Sequence, residues 1–377
     1  MTITDASPTT ATGEGDLDAQ VGAYAERLFE TGLAALEAVT ISLGRELGLY
    51  GHLAGAPVTF TELAAAAGVD ARYAQEWCEQ QATAGFIEVD DATAPAGDRR
   101  FWLPVAGQAC LLDPESPASV GPLIDFLPSI VRVYPHALVD AFRSGHGVPY
   151  ADYAVHDAQG DFNRPAFVHQ LATEWLPAIP GVADRLAAGP ARAAEIGCGE
   201  GWAAISLARA FPELTVDGFD LDEASIAAAR RHAADAGVTD RVHFEVVDVT
   251  GPLPARVDAG TYDLVLAFEM VHDLARPVEA LATMRRLGAP GAAHLVMDER
   301  VAEAFEAPTE NPVERLMYAA SVLHCLPVGR ADAPDSAATG TVMRPATLEG
   351  YARAAGFARV DVLPIEHDLF RFYHLVG

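Results

Sequence analysis

The spacing of hydrophobic positions changes twice along this chain. Residues 1–17 are rich in Thr, Ala, Gly and acids and hold almost no bulky apolar side chains, so we expect a disordered tail. From Asp18 to Leu47, apolar residues recur three or four positions apart, which predicts a long helix. Gly48 and Gly51 interrupt this pattern and indicate where the helix ends.

Two shorter helices and a hairpin are predicted next. We expect Thr61 to cap an Ala-rich helix and a second helix to run over residues 71–84, ended by Gly85. The runs 86–89 and 100–103 are typical of strands and flank a turn-rich loop. Helix, turn, helix and two-stranded wing predict a winged-helix domain, which we assign to residues 18–115.

The charges of this domain argue against the DNA binding that its shape suggests. Its second helix carries one base, Arg72, against Glu76 and Glu79. The whole chain has 25 Lys and Arg against 53 Asp and Glu, a formal charge of -28. Such an acid excess repels phosphate backbones and anionic membrane surfaces. We therefore favour a homodimerisation module and expect neither a nucleic-acid nor a membrane partner; a ligand-sensing DNA-binding regulator is the alternative.

Residues 116–190 are interrupted by prolines and are mostly helical in pattern. Asn163 is expected to cap a helix whose Phe167, Leu171 and Trp175 share one face. We interpret the segment as a connector or lid. Its aromatic side chains, Tyr153 and Trp175 among them, either cover a ligand or pack in a core.

From residue 191 the pattern alternates between strand and helix. Five apolar runs are separated by helical segments, and the last two runs of the chain lie only a few residues apart. This arrangement predicts an α/β fold, a Rossmann-like seven-stranded sheet with an antiparallel hairpin at one edge, over residues 191–377. The predicted strands are 193–197, 215–220, 242–248, 262–270, 293–299, 358–366 and 370–377.

Cysteine usage and apolar run lengths bear on the compartment. The four cysteines, at 78, 110, 198 and 325, form no C-x-x-C pair, which fits a reducing environment. The first residues lack the basic start and apolar run of a signal peptide, and no apolar run reaches about 18 residues. We expect a cytoplasmic protein.

A glycine loop follows the first predicted strand of the C-terminal domain, and acids follow the next two strands. The loop has Gly197, Gly199 and Gly201, with Glu195 two residues before it. Asp220 and Asp248 end the following strands, where a carboxylate can accept ribose hydroxyls or lie near an adenine. The loop reads G-x-G-x-G, with Trp202 in place of the last glycine of the dinucleotide pattern, and no nucleoside triphosphate loop is present. The set predicts an adenosine-containing ligand.

The stretches EIGCGEG, GFDLD and VVDV, with the edge hairpin, resemble the class I S-adenosylmethionine (SAM)-dependent methyltransferases. A winged helix before such a domain is similar to the small-molecule O-methyltransferases, where it forms a homodimer. The resemblance implies SAM as the cofactor and S-adenosylhomocysteine (SAH) as its product. It also implies cofactor contacts from Glu195, Gly197, Cys198, Gly199, Gly201, Asp220, Leu221, Asp248, Val249 and Phe268.

His272 lies just past the fourth strand of this domain, where the resemblance places a general base. An imidazole suits that role because its ordinary pKa of about 6.5 is close to working pH. We expect Asp273 to cap a helix, since adjacent side chains point apart. The acceptor pocket is predicted to involve Tyr153, Trp175, Met317, Tyr318 and His324. His272 and His324 without a third ligand are thin evidence for a metal, so we predict none.

These features leave three functions open. The first is O-methylation of a small molecule, in secondary metabolism or detoxification, with His272 as the base. The second is C- or N-methylation, including a metal-assisted reaction on a 2-oxo acid. The third is a SAM-binding winged-helix regulator of DNA, or a silent SAM-binding protein.

Overall fold

The computed structural model describes residues 14–255, 257–331 and 335–377. The first 13 residues of the predicted tail lie outside the described residues. Residues 14–17, also predicted as tail, belong to the first helix. The chain divides into two compact units, with residue 108 the last of the first and residue 109 the first of the second. No helix of the described ranges has both the length and the apolar character to cross a membrane.

The first unit is helical with a two-stranded sheet. Its elements are α1 (Glu14–Glu46), α2 (Leu49–Leu53), α3 (Phe60–Ala67), α4 (Ala71–Thr83), β1 (Glu88–Val89) and β2 (Phe101–Trp102). β1 and β2 pair antiparallel, which confirms the predicted wing. Helix α5 (Val105–Leu111) follows. Leu53 and Leu63 are fully buried in this unit, and Trp77 is nearly so.

Thr59, and not Thr61, caps helix α3. The Thr59 hydroxyl accepts the Glu62 backbone N–H, and the Glu62 carboxylate accepts the Thr59 N–H in return. An N-cap residue needs an extended backbone, which Thr59 has with φ -75° and ψ 159°. The prediction of Thr61 was wrong because Thr61 already lies inside the helix, two residues after the cap.

The second unit begins with a mostly helical segment and continues as an α/β sheet. The helices before the sheet are α6 (Gly121–Val133), α7 (Val139–Ser144), α8 (Tyr150–Tyr153), α9 (His156–His169) and α10 (Val182–Ala187). The sheet region contains β3 (Ala191–Ile196), α11 (Trp202–Ala210), β4 (Leu214–Asp220), α12 (Glu223–Asp235), β5 (Val242–Val246), β6 (Tyr262–Phe268), α13 (Pro277–Leu287), β7 (Gly288–Glu299), α14 (Pro312–Ala320), α15 (Leu326–Gly329), α16 (Pro345–Ala354), β8 (Arg359–Val362) and β9 (Phe370–Val376).

The seven strands stand in the order β5-β4-β3-β6-β7-β9-β8. The first five are parallel, and β9 pairs antiparallel with both β7 and β8. This confirms the predicted doubly wound sheet and its edge hairpin. Apolar clusters cover both faces, one centred on α11 and Trp175, the other on α13 and α16. Strand order reverses between β3 and β6, the place where open α/β sheets bind ligands.

Candidate active site

A cavity of about 620 Å³ opens at the carboxyl ends of β3, β4, β5 and β6. Its wall is formed by the loops that follow these strands and by residues of α8 and α9. All ten residues predicted to contact the cofactor line it: Glu195, Gly197, Cys198, Gly199, Gly201, Asp220, Leu221, Asp248, Val249 and Phe268. They converge because parallel strands end at one edge of the sheet.

The glycine loop has a shape that side chains would disturb. All three of its glycines have positive φ, from 48° to 80°. A Cβ on Gly201 would lie 2.3 Å from Cζ of Phe244, and one on Gly197 would lie 2.7 Å from Cγ of Met270. A Cβ on Gly199 would meet no protein atom within 4 Å, so this glycine faces open space. The loop is therefore a cradle that a ligand can approach closely.

Asp220 ties this loop to the end of β4. One carboxylate oxygen accepts the Gly199 N–H at 2.8 Å and the other accepts the Asp222 N–H at 2.9 Å. Burial raises the pKa of Asp220 above its ordinary value, although these hydrogen bonds oppose the shift. A carboxylate has about four acceptor positions, so it retains capacity for hydroxyl donors of a ligand.

Glu195 lies beneath the loop. It is 2% exposed and its Oε2 accepts the Ala204 N–H at 3.1 Å. Burial raises the pKa of Glu195 to about 8, so the carboxyl is largely protonated at neutral pH. A neutral carboxyl here supports the start of α11 and can also donate a hydrogen bond.

Residues at the other end of the cavity differ in exposure. Leu221 is 61% exposed, while Val249 and Phe268 are buried. Asp248 is exposed. Its Oδ1 accepts two hydrogen bonds from Thr250, one from the backbone N–H at 2.8 Å and one from the hydroxyl at 2.6 Å. Apolar walls beside an exposed acid suit a planar base whose amino edge faces water.

The five residues predicted for the acceptor pocket lie off the wall of this cavity, as far as the described residues define it. Tyr153 is fully buried, donates its hydroxyl to the Leu323 carbonyl and contacts the His324 ring with centroids 4.5 Å apart. Trp175 packs against Phe372. The Tyr318 hydroxyl accepts a hydrogen bond from Arg344, and Met317 is buried. Four of the five side chains are buried and Tyr318 is half-buried, an orientation that composition alone does not reveal.

His272 is buried among carboxylates. Its Nδ1 lies 3.0 Å from Asp298 Oδ1 and 3.2 Å from Glu299 Oε2, and its Nε2 lies 3.3 Å from Asp273 Oδ1. Burial favours the neutral ring, but the charges of Glu299, Asp298 and Asp273 outweigh it and raise the pKa of His272 well above 6.5. His272 itself does not line the cavity, whereas Asp273 does.

Asp273 thus differs from its predicted role. It does not cap the next helix, since α13 begins at Pro277 with Arg276 in the cap position. Its carboxylate instead turns back to the ring of the preceding residue. A short 3₁₀ turn over residues 271–273 allows this, because it breaks the strand alternation that would point the two side chains apart.

Asn163 and Glu269 form a pair that sequence reasoning missed. Asn163 lies inside α9 rather than at its start, so it caps no helix, and its Nδ2 donates to Glu269 Oε2. Both residues line the cavity. Glu269 directly follows β6 and has a positive φ of 48°, a conformation that costs energy and is common at functional sites. The only sign of this pair in the sequence was the place of Glu269, an acid at the end of a strand.

Two clusters have donor atoms within 4.8 Å of one another, as metal ligands do: His272 with Asp273 and Cys325, and His272 with Asp298 and Glu299. His324 belongs to neither among the described residues. Its Nδ1 lies 3.5 Å from the Cys325 thiol, and burial lowers its pKa.

Comparisons with known proteins agree with this geometry. Residues 191–332 match the family model described as a methyltransferase domain, and residues 34–111 match the Rv2258c-like winged HTH domain. The ubiquinone biosynthesis O-methyltransferase of Pseudomonas aeruginosa (strain LESB58) is 25% identical over 226 residues, covering 59% of this chain and 85% of that protein.

Solved structures share the fold at low identity. The mitomycin 7-O-methyltransferase MmcR superposes with a TM-score of 0.67 at 20% identity, over 96% of this chain and 100% of its own. Human N-acetylserotonin methyltransferase in complex with SAM gives 0.65 at 19% identity, over 94% and 98%.

The residues present fit SAM. The open face of Gly199 leaves room beside the loop, Asp220 retains acceptor capacity, and Asp248 stands at the far end of the same cavity. The two domains that the sequence resemblance implied are confirmed. The chain carries an N-terminal winged helix-turn-helix domain followed by a methyltransferase domain.

Proposed function

We propose that this chain transfers the methyl group of SAM to a hydroxyl of a small molecule, with His272 accepting the proton. The observation that carries the proposal is the contact of a buried imidazole with Asp273, a residue of the cavity wall, at the end of β6. The named O-methyltransferases among its relatives support the choice of oxygen.

When bound, SAM supplies a methyl group on a sulfonium that is already activated for displacement. The remaining work of the protein is to hold the acceptor in line and to take its proton. Asp220 and the glycine loop would hold the ribose and methionine parts, and Asp248 and Val249 would flank the adenine.

His272 has the surroundings of a proton acceptor held in one orientation. Asp298 at Nδ1 fixes the ring and stabilises the imidazolium that proton transfer creates. Nε2 faces the carboxylate of Asp273, and Asp273 lines the cavity, so this carboxylate lies between the ring and the cavity. The three carboxylates raise the affinity of the ring for a proton, so it acts as a base only at pH values where it is first deprotonated.

We further propose that the first unit forms a homodimer through α1. This helix of 33 residues has apolar side chains on much of its surface: Tyr24 is 66% exposed, Leu28 60%, Phe29 71% and Leu36 69%. The exposed Leu17, Val21, Tyr24 and Leu28 follow one another at intervals of four, three and four residues, the spacing of helices that pair. A second copy of α1 would cover this stripe, and the acidic α4 favours such packing over DNA.

The transfer is tested by incubating the chain with SAM and a panel of phenols, catechols and alcohols, with SAH and methylated product measured by mass spectrometry. Formation of an O-methyl product in step with SAH supports the proposal. Products methylated only on carbon or nitrogen, across a panel that includes amines and 2-oxo acids, would overturn the choice of oxygen.

A further inference from the structure

One buried acceptor of the Asn163–Glu269 pair has no donor among the described residues. The Asn163 amide nitrogen donates to Glu269, so Oδ1 of the amide is the atom left to accept a hydrogen bond. Asn163 is 8% exposed and its Oδ1 has no hydrogen-bond partner among the described residues. A buried acceptor left unsatisfied is unfavourable, so the pair is suited to a ligand that brings N–H donors.

The groups around Glu269 add no positive charge that faces the cavity. Behind it lie Glu299, Asp298 and His272, and the imidazole is already matched by carboxylates. Burial raises the pKa of Glu269 to about 7, although the charge of His272 and the hydrogen bond from Asn163 oppose the shift. An arriving cation would stabilise the ionised carboxylate.

The wall of the cavity as a whole is acidic. The described residues that line it include seven Asp and Glu and a single base, Arg276. SAM carries a sulfonium, an ammonium and a carboxylate, a net charge of only one. The carboxylates that remain ionised would disfavour an acceptor with a carboxylate of its own and would attract a cationic acceptor.

We infer that Asn163 and Glu269 bind a protonated amine of the methyl acceptor, so that the substrate class is a hydroxyl compound with a basic nitrogen. The inference rests on the proposed function for the hydroxyl and adds the amine. The ammonium of SAM has the same chemistry, and the experiment below separates the two sources.

The test is calorimetric titration of the full chain saturated with SAH. Three phenols of similar shape serve as probes: tyramine, tyrosol and 4-hydroxyphenylacetate, which end in an ammonium, a hydroxyl and a carboxylate. We expect tyramine to bind about tenfold or more tightly than tyrosol, because a charge-assisted hydrogen bond is stronger than one between neutral groups. The carboxylate should bind most weakly. Equal binding of the three, or binding by none at millimolar concentration, overturns the inference.

Glu269→Gln keeps the shape of the side chain and removes its charge. It should abolish the advantage of tyramine over tyrosol while leaving tyrosol and SAH binding unchanged. Glu213→Gln, at an exposed acid between α11 and β4, is the matched control and should change nothing. If Glu269→Gln instead weakens SAH and spares the tyramine advantage, the pair binds the ammonium of the cofactor and the inference is wrong. If tyramine binds preferentially but the acceptor panel yields no O-methyl product, the proposed reaction is refuted and the inference about the amine stands.

Discussion

Nδ1 of His272 lies 3.0 Å from Oδ1 of Asp298, and neither side chain is more than 3% exposed. The two residues lie just after β6 and near the end of β7, strands that pair in parallel. The contact places an anion behind a ring whose other nitrogen faces Asp273 of the cavity wall. It explains both the fixed orientation of the ring and its raised pKa.

The pH dependence of methyl transfer should report this contact. Because the carboxylates raise the pKa of His272, the rising limb of the rate should lie well above pH 6.5. Asp298→Asn removes one of these anions and should move the limb to lower pH. Asp235→Asn, at an exposed acid ending α12, should leave it in place. An unchanged or higher limb in Asp298→Asn would show that His272 does not govern the rate.

Glu195 should make stability depend on pH. Its pKa is about 8 in the folded chain and near 4.5 in the unfolded one, so the folded state binds more protons between these values. The free energy of unfolding should then fall as pH rises from 4.5 to 8, by up to about 1.4 kcal/mol per unit from this group. The free energy of unfolding of Glu195→Gln minus that of the wild type, measured with urea, should be larger at pH 8.5 than at pH 6. An equal difference at both pH values would contradict the account.

Gly199 and Gly237 offer a matched pair of positions. Both have positive φ, 48° and 68°, and both have open space where a Cβ would lie, but only Gly199 lines the cavity. Alanine at either should cost about 1–2 kcal/mol of stability through backbone strain. Only Gly199→Ala should weaken SAM binding, by tenfold or more in calorimetry. Similar SAM affinity in the two variants would remove the loop from the cofactor site.

The exposed stripe of α1 should hold two copies together. Leu28→Glu places a charge in the stripe, and we expect sedimentation to show monomers where the wild type shows dimers. Ala34→Glu introduces the same residue at another exposed position, on the more polar side of the helix, and should leave the dimer intact. A wild-type monomer, or a dimer that tolerates Leu28→Glu, would be evidence against this interface.

Local patterns were sufficient to predict the sheet. Each strand of the second unit is an apolar run bounded by turn residues, and β6, from Tyr262 to Phe268, is buried at nearly every position. The acids at 220 and 248 could be placed in one site because parallel strands end together. The fold therefore follows from short-range information and one rule of topology.

The wrong predictions concern relations that no local pattern encodes. Thr59 and Thr61 are equally good caps by residue type, and only the backbone conformation chooses between them. Asn163 was predicted to cap a helix, yet α9 begins at His156 and continues through Pro165. Its partner Glu269 is 106 residues away. Asp298 and Glu299, two of the carboxylates around His272, likewise come from β7, so their contact depends on the pairing of two strands.

The most direct test of the proposed reaction is His272→Ala, compared with His243→Ala at a half-exposed histidine of β5. Methyl transfer and SAM affinity are measured on the same preparations, with the hydroxyl acceptor identified from the panel. We predict that His272→Ala binds SAM as the wild type does and loses about 10²–10⁴-fold in transfer rate, the usual worth of a general base, while His243→Ala keeps both. Undiminished transfer by His272→Ala would contradict the account.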